Sequence, residues 1–91
     1  MTTTDNRTIT TQRGAFHVRL RGPADGTPVV LLHGWPESSY CWQGVADALP
    51  DDYRLIMPDL RGLGDSERTL DNSAYTKQAL AADMLGLLDE L

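Results

Sequence analysis

The sequence of 91 residues has a single cysteine, no cluster of basic residues and no long apolar segment. One thiol, Cys41, cannot form an internal disulfide, so the fold does not depend on oxidation. Thirteen acidic against eight basic residues give a net charge of −5, which argues against partners such as nucleic acid or an anionic membrane. The longest apolar run, residues 29–32, is far too short to cross a bilayer, and no signal peptide precedes it. We therefore expect a cytoplasmic protein that binds neither nucleic acid nor membrane.

The chain is also short for its apparent class, because an α/β sheet domain usually needs roughly 150–250 residues. Its last helical pattern ends on Leu91 without a glycine, asparagine or proline to cap it. We expect one segment of a larger domain, with residues 1–7 disordered. The expected partner is the remainder of the same protein, and a homo-oligomer is a second option.

Alternating apolar and polar residues predict an N-terminal hairpin. Its strands are residues 8–12 and 15–21, joined at Arg13-Gly14, where glycine supplies the positive φ of a tight turn. We expect the second strand to bury only the face that carries Phe16, Val18 and Leu20. His17 lies on the other face and is expected to be solvated.

A parallel β-α-β-α pattern follows the hairpin. Residues 29–33 are typical of a strand buried on both faces, and a helix is predicted from about residue 37 or 38 to 49, capped by Ser38 or Ser39. A turn at 51–52, a strand at 53–57, a loop at 58–66 and a helix from 75 or 76 onward complete the order. This order predicts an α/β fold. Within the first helix, Cys41 and Trp42 are expected to pack in the core.

The segment His33-Gly34-Trp35-Pro36-Glu37 stands where the first parallel strand ends. Ligands bind at the carboxyl ends of strands in open α/β sheets, and a strand-to-helix loop can aim backbone N–H groups at a developing negative charge. Gly34 lets the chain turn and approach a ligand closely, and Pro36 stiffens the loop. This segment is the candidate site.

Together with the loop Pro-Asp-Leu-Arg-Gly-Leu-Gly-Asp-Ser at 58–66, this segment resembles the N-terminal third of the α/β-hydrolase fold. The resemblance extends from Phe16 onward and is greatest to epoxide hydrolases and to haloalkane and haloacetate dehalogenases. It implies that the Trp35 backbone N–H forms part of an oxyanion hole, and that the substrate meets His33, Gly34, Trp35 and Pro36. No cofactor and no metal are implied. Haloalkane dehalogenases usually have asparagine at the Trp35 position, so Trp35 favours an epoxide hydrolase or a haloacid dehalogenase.

Other residues of the two motifs have structural interpretations. His33 is expected to bond to loop backbone rather than to act as a base. Ser66 does not stand in a Gly-x-Ser-x-Gly nucleophile elbow and is rejected as a nucleophile. Asp59 and Arg61 are predicted to form an ion pair that shapes the loop containing Gly62 and Gly64. Glu37 is predicted to favour the positive end of the first helix dipole.

No nucleophile, orienting acid or base is found in the chain, so these residues alone are predicted to be inactive. In a complete enzyme of this family, a carboxylate would attack an epoxide or C–X carbon of a small molecule, and the resulting ester would be hydrolysed. A serine in its place would give an esterase or a haloperoxidase-like enzyme. A non-catalytic module that pairs through the open edge of strand 29–32 is the alternative from another class. Dinucleotide binding is disfavoured, since Glu67 replaces the third glycine of that fingerprint.

Overall fold

The computed structural model describes residues 3–91, and its elements follow the predicted order. Four strands and two helices are formed: β1 Thr4–Thr11, β2 Gly14–Arg21, β3 Thr27–Val30, α1 Gln43–Ala48, β4 Tyr53–Pro58 and α2 Lys77–Glu90. Short 3₁₀ helices at Ser39–Trp42 and Asn72–Tyr75 precede the two α-helices. Among the described residues, no helix combines the length and the apolar character needed to cross a membrane.

The four strands form one mixed sheet in the order β1-β2-β4-β3. β2 is antiparallel to both β1 and β4, whereas β3 and β4 are parallel, with Val29 opposite Leu55. The predicted α/β fold, a hairpin leading into a parallel unit, is confirmed.

The hairpin is longer than the side-chain pattern indicates. β1 begins at Thr4, which pairs with Arg21, so the expectation of disorder is wrong for residues 4–7. Backbone pairing with β2 orders this segment although its side chains are polar, because every second residue of an antiparallel edge strand exchanges hydrogen bonds with its neighbour. Residues 1–2 lie outside the described part of the chain. The predicted turn is confirmed, with Gly14 at φ 139°.

Apolar side chains form a core on each face of the sheet. The core between the sheet and α2 contains six buried residues, four from the sheet and two from the helix: Phe16, Val18, Leu20, Ile56, Met84 and Leu87. The face toward α1 buries Ala46, Leu55 and Met57, with Trp42 packed at its margin. The predicted core position is therefore confirmed for Trp42 but wrong for Cys41, which is exposed because the 3₁₀ helix turns it toward solvent.

β2 is covered on both faces, contrary to the prediction of one buried face. His17 is buried, Arg19 donates to the Ser39 hydroxyl, and Arg21 forms an ion pair with Asp47 of α1. The polar residues of β2 thus face the segment around α1 and find partners there.

β3 is shorter and more exposed than predicted. It ends at Val30 rather than at residue 33, and Val30 and Leu32 are 38% and 50% exposed. β3 is an edge strand of this sheet, with β4 as its one neighbouring strand. Its side chains are therefore shielded from water mainly on the face that packs against the α1 cluster.

Residues 1–91 expressed alone are expected to be aggregated, oligomeric or poorly folded. Besides Val30 and Leu32, Leu91 of the last helical turn is 46% exposed. Each uncovered Val or Leu forfeits roughly 1.5–3 kcal/mol of burial, while the stability of a domain is only about 5–15 kcal/mol. Light scattering and thermal unfolding check this expectation, which a cooperative melt of a monomer would contradict.

Candidate active site

The loop that follows β3 carries the candidate site. Glu37 N–H donates to the Gly34 carbonyl at 2.8 Å and closes a tight turn around Trp35 and Pro36, which are joined by a cis peptide bond. Gly34 does not adopt a left-handed φ, so the turn itself does not require glycine. Glu37 is exposed, and Ser38 is the residue that caps the following helix, by accepting from Tyr40 N–H.

His33 joins this loop to the loop after β4. Its Nε2 lies 3.0 Å from Leu60 N, and its Nδ1 lies 2.9 Å from Gly34 O. Because a backbone N–H can only donate, Nε2 is the acceptor, so Nδ1 carries the proton and donates to the carbonyl. The predicted bonding of His33 to loop backbone is confirmed, and its ring is 5% exposed.

These contacts orient the Gly34–Trp35 peptide. Its carbonyl accepts from both His33 and Glu37. In a trans peptide the N–H points away from the carbonyl, so Trp35 N–H is directed to the side opposite the His33 ring. No hydrogen bond among residues 3–91 uses that N–H. The loop therefore presents one fixed donor.

Asp59, at the end of β4, is the centre of a buried hydrogen-bond network. Its Oδ1 accepts from Ser39 N–H at 2.6 Å, and its Oδ2 lies 2.7 Å from His17 Nδ1 and 3.0 Å from Asp65 N. Burial alone would raise the pKa of Asp59, but the hydrogen bonds from Ser39, Asp65 and His17 lower it below its ordinary value. The ionised carboxylate thus ties β2, the 3₁₀ helix before α1 and the 58–66 loop together.

The buried hydroxyl of Ser66 completes this network. It accepts from His17 N–H at 2.9 Å and donates to Asp59 O at 2.7 Å. A hydroxyl engaged on both sides and 3% exposed serves as a structural bridge rather than as an attacking group.

The predicted ion pair between Asp59 and Arg61 is wrong. Arg61 donates instead to Asp83 of α2, from Nε at 3.0 Å and Nη2 at 3.1 Å, and its third nitrogen lies 3.3 Å from Glu67. Hydrogen bonds to Asp83 raise the pKa of Arg61 above its ordinary value in spite of burial. Asp59 is directed to the α1 face of the sheet and Arg61 to the α2 face, so these near neighbours in sequence do not meet.

Two glycines give the 58–66 loop its shape, as predicted. Gly62 and Gly64 have φ of 82° and 54°, values that other residues rarely adopt. A Cβ at Gly64 would also overlap the Asp59 carboxylate, and one at Gly62 would lie 2.8 Å from Tyr75 Cε1. The loop can close over Asp59 only because glycine stands at 64.

Sequence reasoning missed the part played by His17. Alternation placed it on a polar face, yet the pairing of Val18 with Pro58 brings its ring beside Asp59. Only the register between β2 and β4 carries this signal. His17, Asp59 and Asp65 hold one potential metal-ligating atom each within 4.8 Å, but hydrogen bonds already occupy His17 Nδ1 and Asp59 Oδ2.

The Trp35 indole, 83% exposed, borders a groove of about 590 Å³. Leu63, Leu70 and Tyr75 are among the other groove residues, and most of the groove surface is apolar. Cys41 is not suited to attack a substrate. Slight burial and the charges of Glu37 and Asp59 raise the pKa of its thiol, which disfavours the reactive thiolate.

A family model for the alpha/beta hydrolase fold matches residues 27–91. The chain belongs to the α/β hydrolase fold family. Soluble epoxide hydrolase of Corynebacterium sp. (strain C12) is 47% identical over 66 residues, which are 72% of this chain and 22% of that protein. Epoxide hydrolase 1 of Siraitia grosvenorii is 40% identical over 88 residues, which are 96% of this chain and 28% of that protein. This α/β-hydrolase chain thus spans about a quarter of the length of these relatives.

Solved structures give the same family. The crystal structure of epoxide hydrolase A from Mycobacterium thermoresistibile superposes with a TM-score of 0.88 at 36% identity, over 96% of this chain and 28% of that one. At this identity the similarity extends beyond the fold to the sequence itself.

Proposed function

We propose that this sequence of 91 residues is the segment of an epoxide hydrolase that carries the oxyanion loop. The observation that carries the proposal is the Gly34–Trp35 peptide, whose carbonyl is held by two donors and whose N–H, directed away from the His33 ring, has no hydrogen-bond partner among residues 3–91. Its relatives named as epoxide hydrolases support the substrate class, and the apolar groove beside Trp35 suits an epoxide with a hydrocarbon substituent.

The reaction has two steps. A carboxylate from outside these 91 residues attacks an epoxide carbon, the C–O bond breaks, and a proton donor delivers a proton to the departing oxygen. Water, deprotonated by a base, then adds to the carbonyl of the resulting ester and places negative charge on the carbonyl oxygen. Collapse of this intermediate breaks the bond to the substrate oxygen, which takes up the proton that the base removed from water, so that the diol is released and the carboxylate is restored.

Trp35 N–H acts in the second step, because only there does negative charge develop on the ester carbonyl. A donor that is already oriented needs no reorganisation as that charge forms, and one such donor typically contributes about 3 kcal/mol.

The direct test uses the full-length protein that contains these residues, an aryl-substituted epoxide such as styrene oxide, and chromatographic detection of the diol. Intact mass under rapid quench reveals the covalent ester, with a gain equal to the mass of the epoxide. Ester and diol formation support the proposal; a protein that folds but forms neither would overturn it.

Gly34→Val in the full-length protein is expected to lower turnover by about 100-fold, near the loss that follows removal of an oxyanion donor. A Cβ at Gly34 meets no atom within 4 Å, so the fold accommodates valine while the branched side chain obstructs approach to Trp35 N–H. Steady-state kinetics measure the loss of turnover, and thermal unfolding checks that stability is retained.

Gly44→Val is the matched control. A Cβ at Gly44 in α1 likewise meets no atom within 4 Å, and turnover is expected to stay near the wild-type value. If Gly34→Val turns over its substrate normally, this loop has no part in the mechanism.

A further inference from the structure

From the hydrogen bonds behind the Trp35 loop, we infer that Ser66 is a positioning residue for the Trp35 N–H. The inference rests on the proposed function for its chemical consequence. Its structural basis is a continuous hydrogen-bond chain that runs from β2 through Ser66 and His33 to the oxyanion peptide.

The first part of the chain fixes the Asp59–Leu60 peptide. His17 N–H donates to Ser66 Oγ, and Ser66 Oγ donates to the Asp59 carbonyl. This peptide is trans, so holding its carbonyl on one side directs Leu60 N–H to the other side.

The second part of the hydrogen-bond chain orients the Gly34–Trp35 peptide in the same manner. Leu60 N–H donates to His33 Nε2 at 3.0 Å, and His33 Nδ1 donates to the Gly34 carbonyl at 2.9 Å. The Trp35 N–H at the end of the chain is thereby oriented through two peptide planes and one imidazole ring.

All hydrogen bonds of this series donate in the same direction, from His17 toward Gly34. Successive hydrogen bonds of one direction polarise one another, and a low-dielectric interior strengthens each of them. His17, His33, Asp59 and Ser66 are all buried, with exposures of 7%, 5%, 1% and 3%. Loss of the Ser66 hydroxyl would leave the Asp59 carbonyl without this donor. The Asp59–Leu60 peptide, whose N–H donates to His33, would then be less firmly oriented.

The test compares Ser66→Ala with Ser39→Ala in the full-length protein. Ser39 is also a buried serine, 1% exposed, but its hydroxyl accepts from Arg19 and takes no part in the chain. Its contacts with Asp59, from the backbone N–H and from the hydroxyl, go to the carboxylate, whereas the hydrogen-bond chain runs through the Asp59 backbone carbonyl. The two variants therefore remove equally buried hydroxyls, of which only one leads to Trp35.

Rapid-quench intact mass separates the two chemical steps. Ser66→Ala is expected to slow ester hydrolysis roughly 3- to 10-fold, a fraction of the 10²- to 10³-fold lost when a donor is removed outright, so that the covalent ester accumulates. Ester formation is expected to keep its wild-type rate, and both rates are expected to be unchanged in Ser39→Ala. A general structural loss would not select one step.

A second readout needs no activity. The backbone amide resonance of Trp35 is expected to shift in Ser66→Ala and to stay in place in Ser39→Ala. Ser66→Cys, which retains a weak S–H donor, is expected to give an intermediate shift and replaces Ser66→Ala if that variant does not fold.

The possible results distinguish the role of Ser66 from the proposed function. A wild-type protein that forms no ester from epoxides overturns the proposed function, while the Trp35 resonance still decides the role of Ser66. Equal slowing of both steps, or an unmoved Trp35 resonance in the Ser66 variants, overturns the inference alone.

Discussion

Asp83→Ala is expected to destabilise the full-length protein by about 3–5 kcal/mol, the usual cost of removing one partner of a buried ion pair. The Arg61 and Asp83 side chains are 6% and 1% exposed. Alanine at 83 would leave the Arg61 guanidinium buried against the Phe16 ring, with Glu67 and the Arg13 carbonyl as its remaining partners. Urea unfolding measures the loss.

Two further variants identify the cause. The exposed pair Asp5–Arg7, with side chains 54% and 50% exposed, predicts a loss of less than about 1 kcal/mol for Asp5→Ala. The double variant Arg61→Leu, Asp83→Leu is expected to recover much of the stability, because it leaves neither charge of this pair buried without its partner. If the free energy of unfolding of Asp83→Ala lies within about 1 kcal/mol of the wild-type value, the buried pair does not hold α2 to the 58–66 loop.

The sequence predicts most of this architecture because local patterns encode it. Period-two alternation in β2, the apolar run of β3 and the helical spacing of Met84 and Leu87 correspond to observed elements. Ser38 caps the 3₁₀ helix, and Thr76 caps α2 by accepting from Ala79 N–H. Each of these signals depends on residues a few positions apart, which is the range over which a pattern is readable.

Long-range pairing is where the predictions fail. Arg61 lies two residues from Asp59 but pairs with Asp83, 22 residues away, and His17 reaches Asp59 across 42 residues. Which charges meet depends on the register between β2 and β4 and on which face of the sheet each helix covers. Neither quantity follows from the spacing of charged residues, so the polar network could not be predicted.

The candidate site likewise has one part that the sequence predicts and another that depends on long-range contacts. The position of Gly34 and Trp35 after a strand was readable from the motif, whereas the support of their peptide by His33, Leu60 and Ser66 depends on two loops meeting above the sheet. The sequence around Ser66 excludes a nucleophile elbow but indicates no other role for this residue. The structure gives its hydroxyl two buried partners.

Gly22→Ala is expected to destabilise the full-length protein by more than about 3 kcal/mol, and its cause is backbone geometry rather than a lost contact. Gly22 ends the hairpin with φ 92°, a conformation that costs an L-residue about 1–3 kcal/mol. A Cβ there would also overlap the carbonyl oxygen of Tyr53. That oxygen cannot easily move, because Tyr53 is paired with Thr27 across the parallel strands.

Relief of the overlap therefore requires β2 and β4 to separate where Arg21 pairs with Leu55. The matched control is Gly86→Ala in α2, where the nearest atom to a new Cβ is Arg13 Cδ at 4.0 Å. Alanine is the better helix former, so this control is expected to gain about 0.5–1 kcal/mol. Urea unfolding of both variants measures the contrast. Equal stability of Gly22→Ala and wild type would show that the β2–β4 junction yields to a methyl group, and that the register which brings His17 to Asp59 is not rigidly fixed at this end of the sheet.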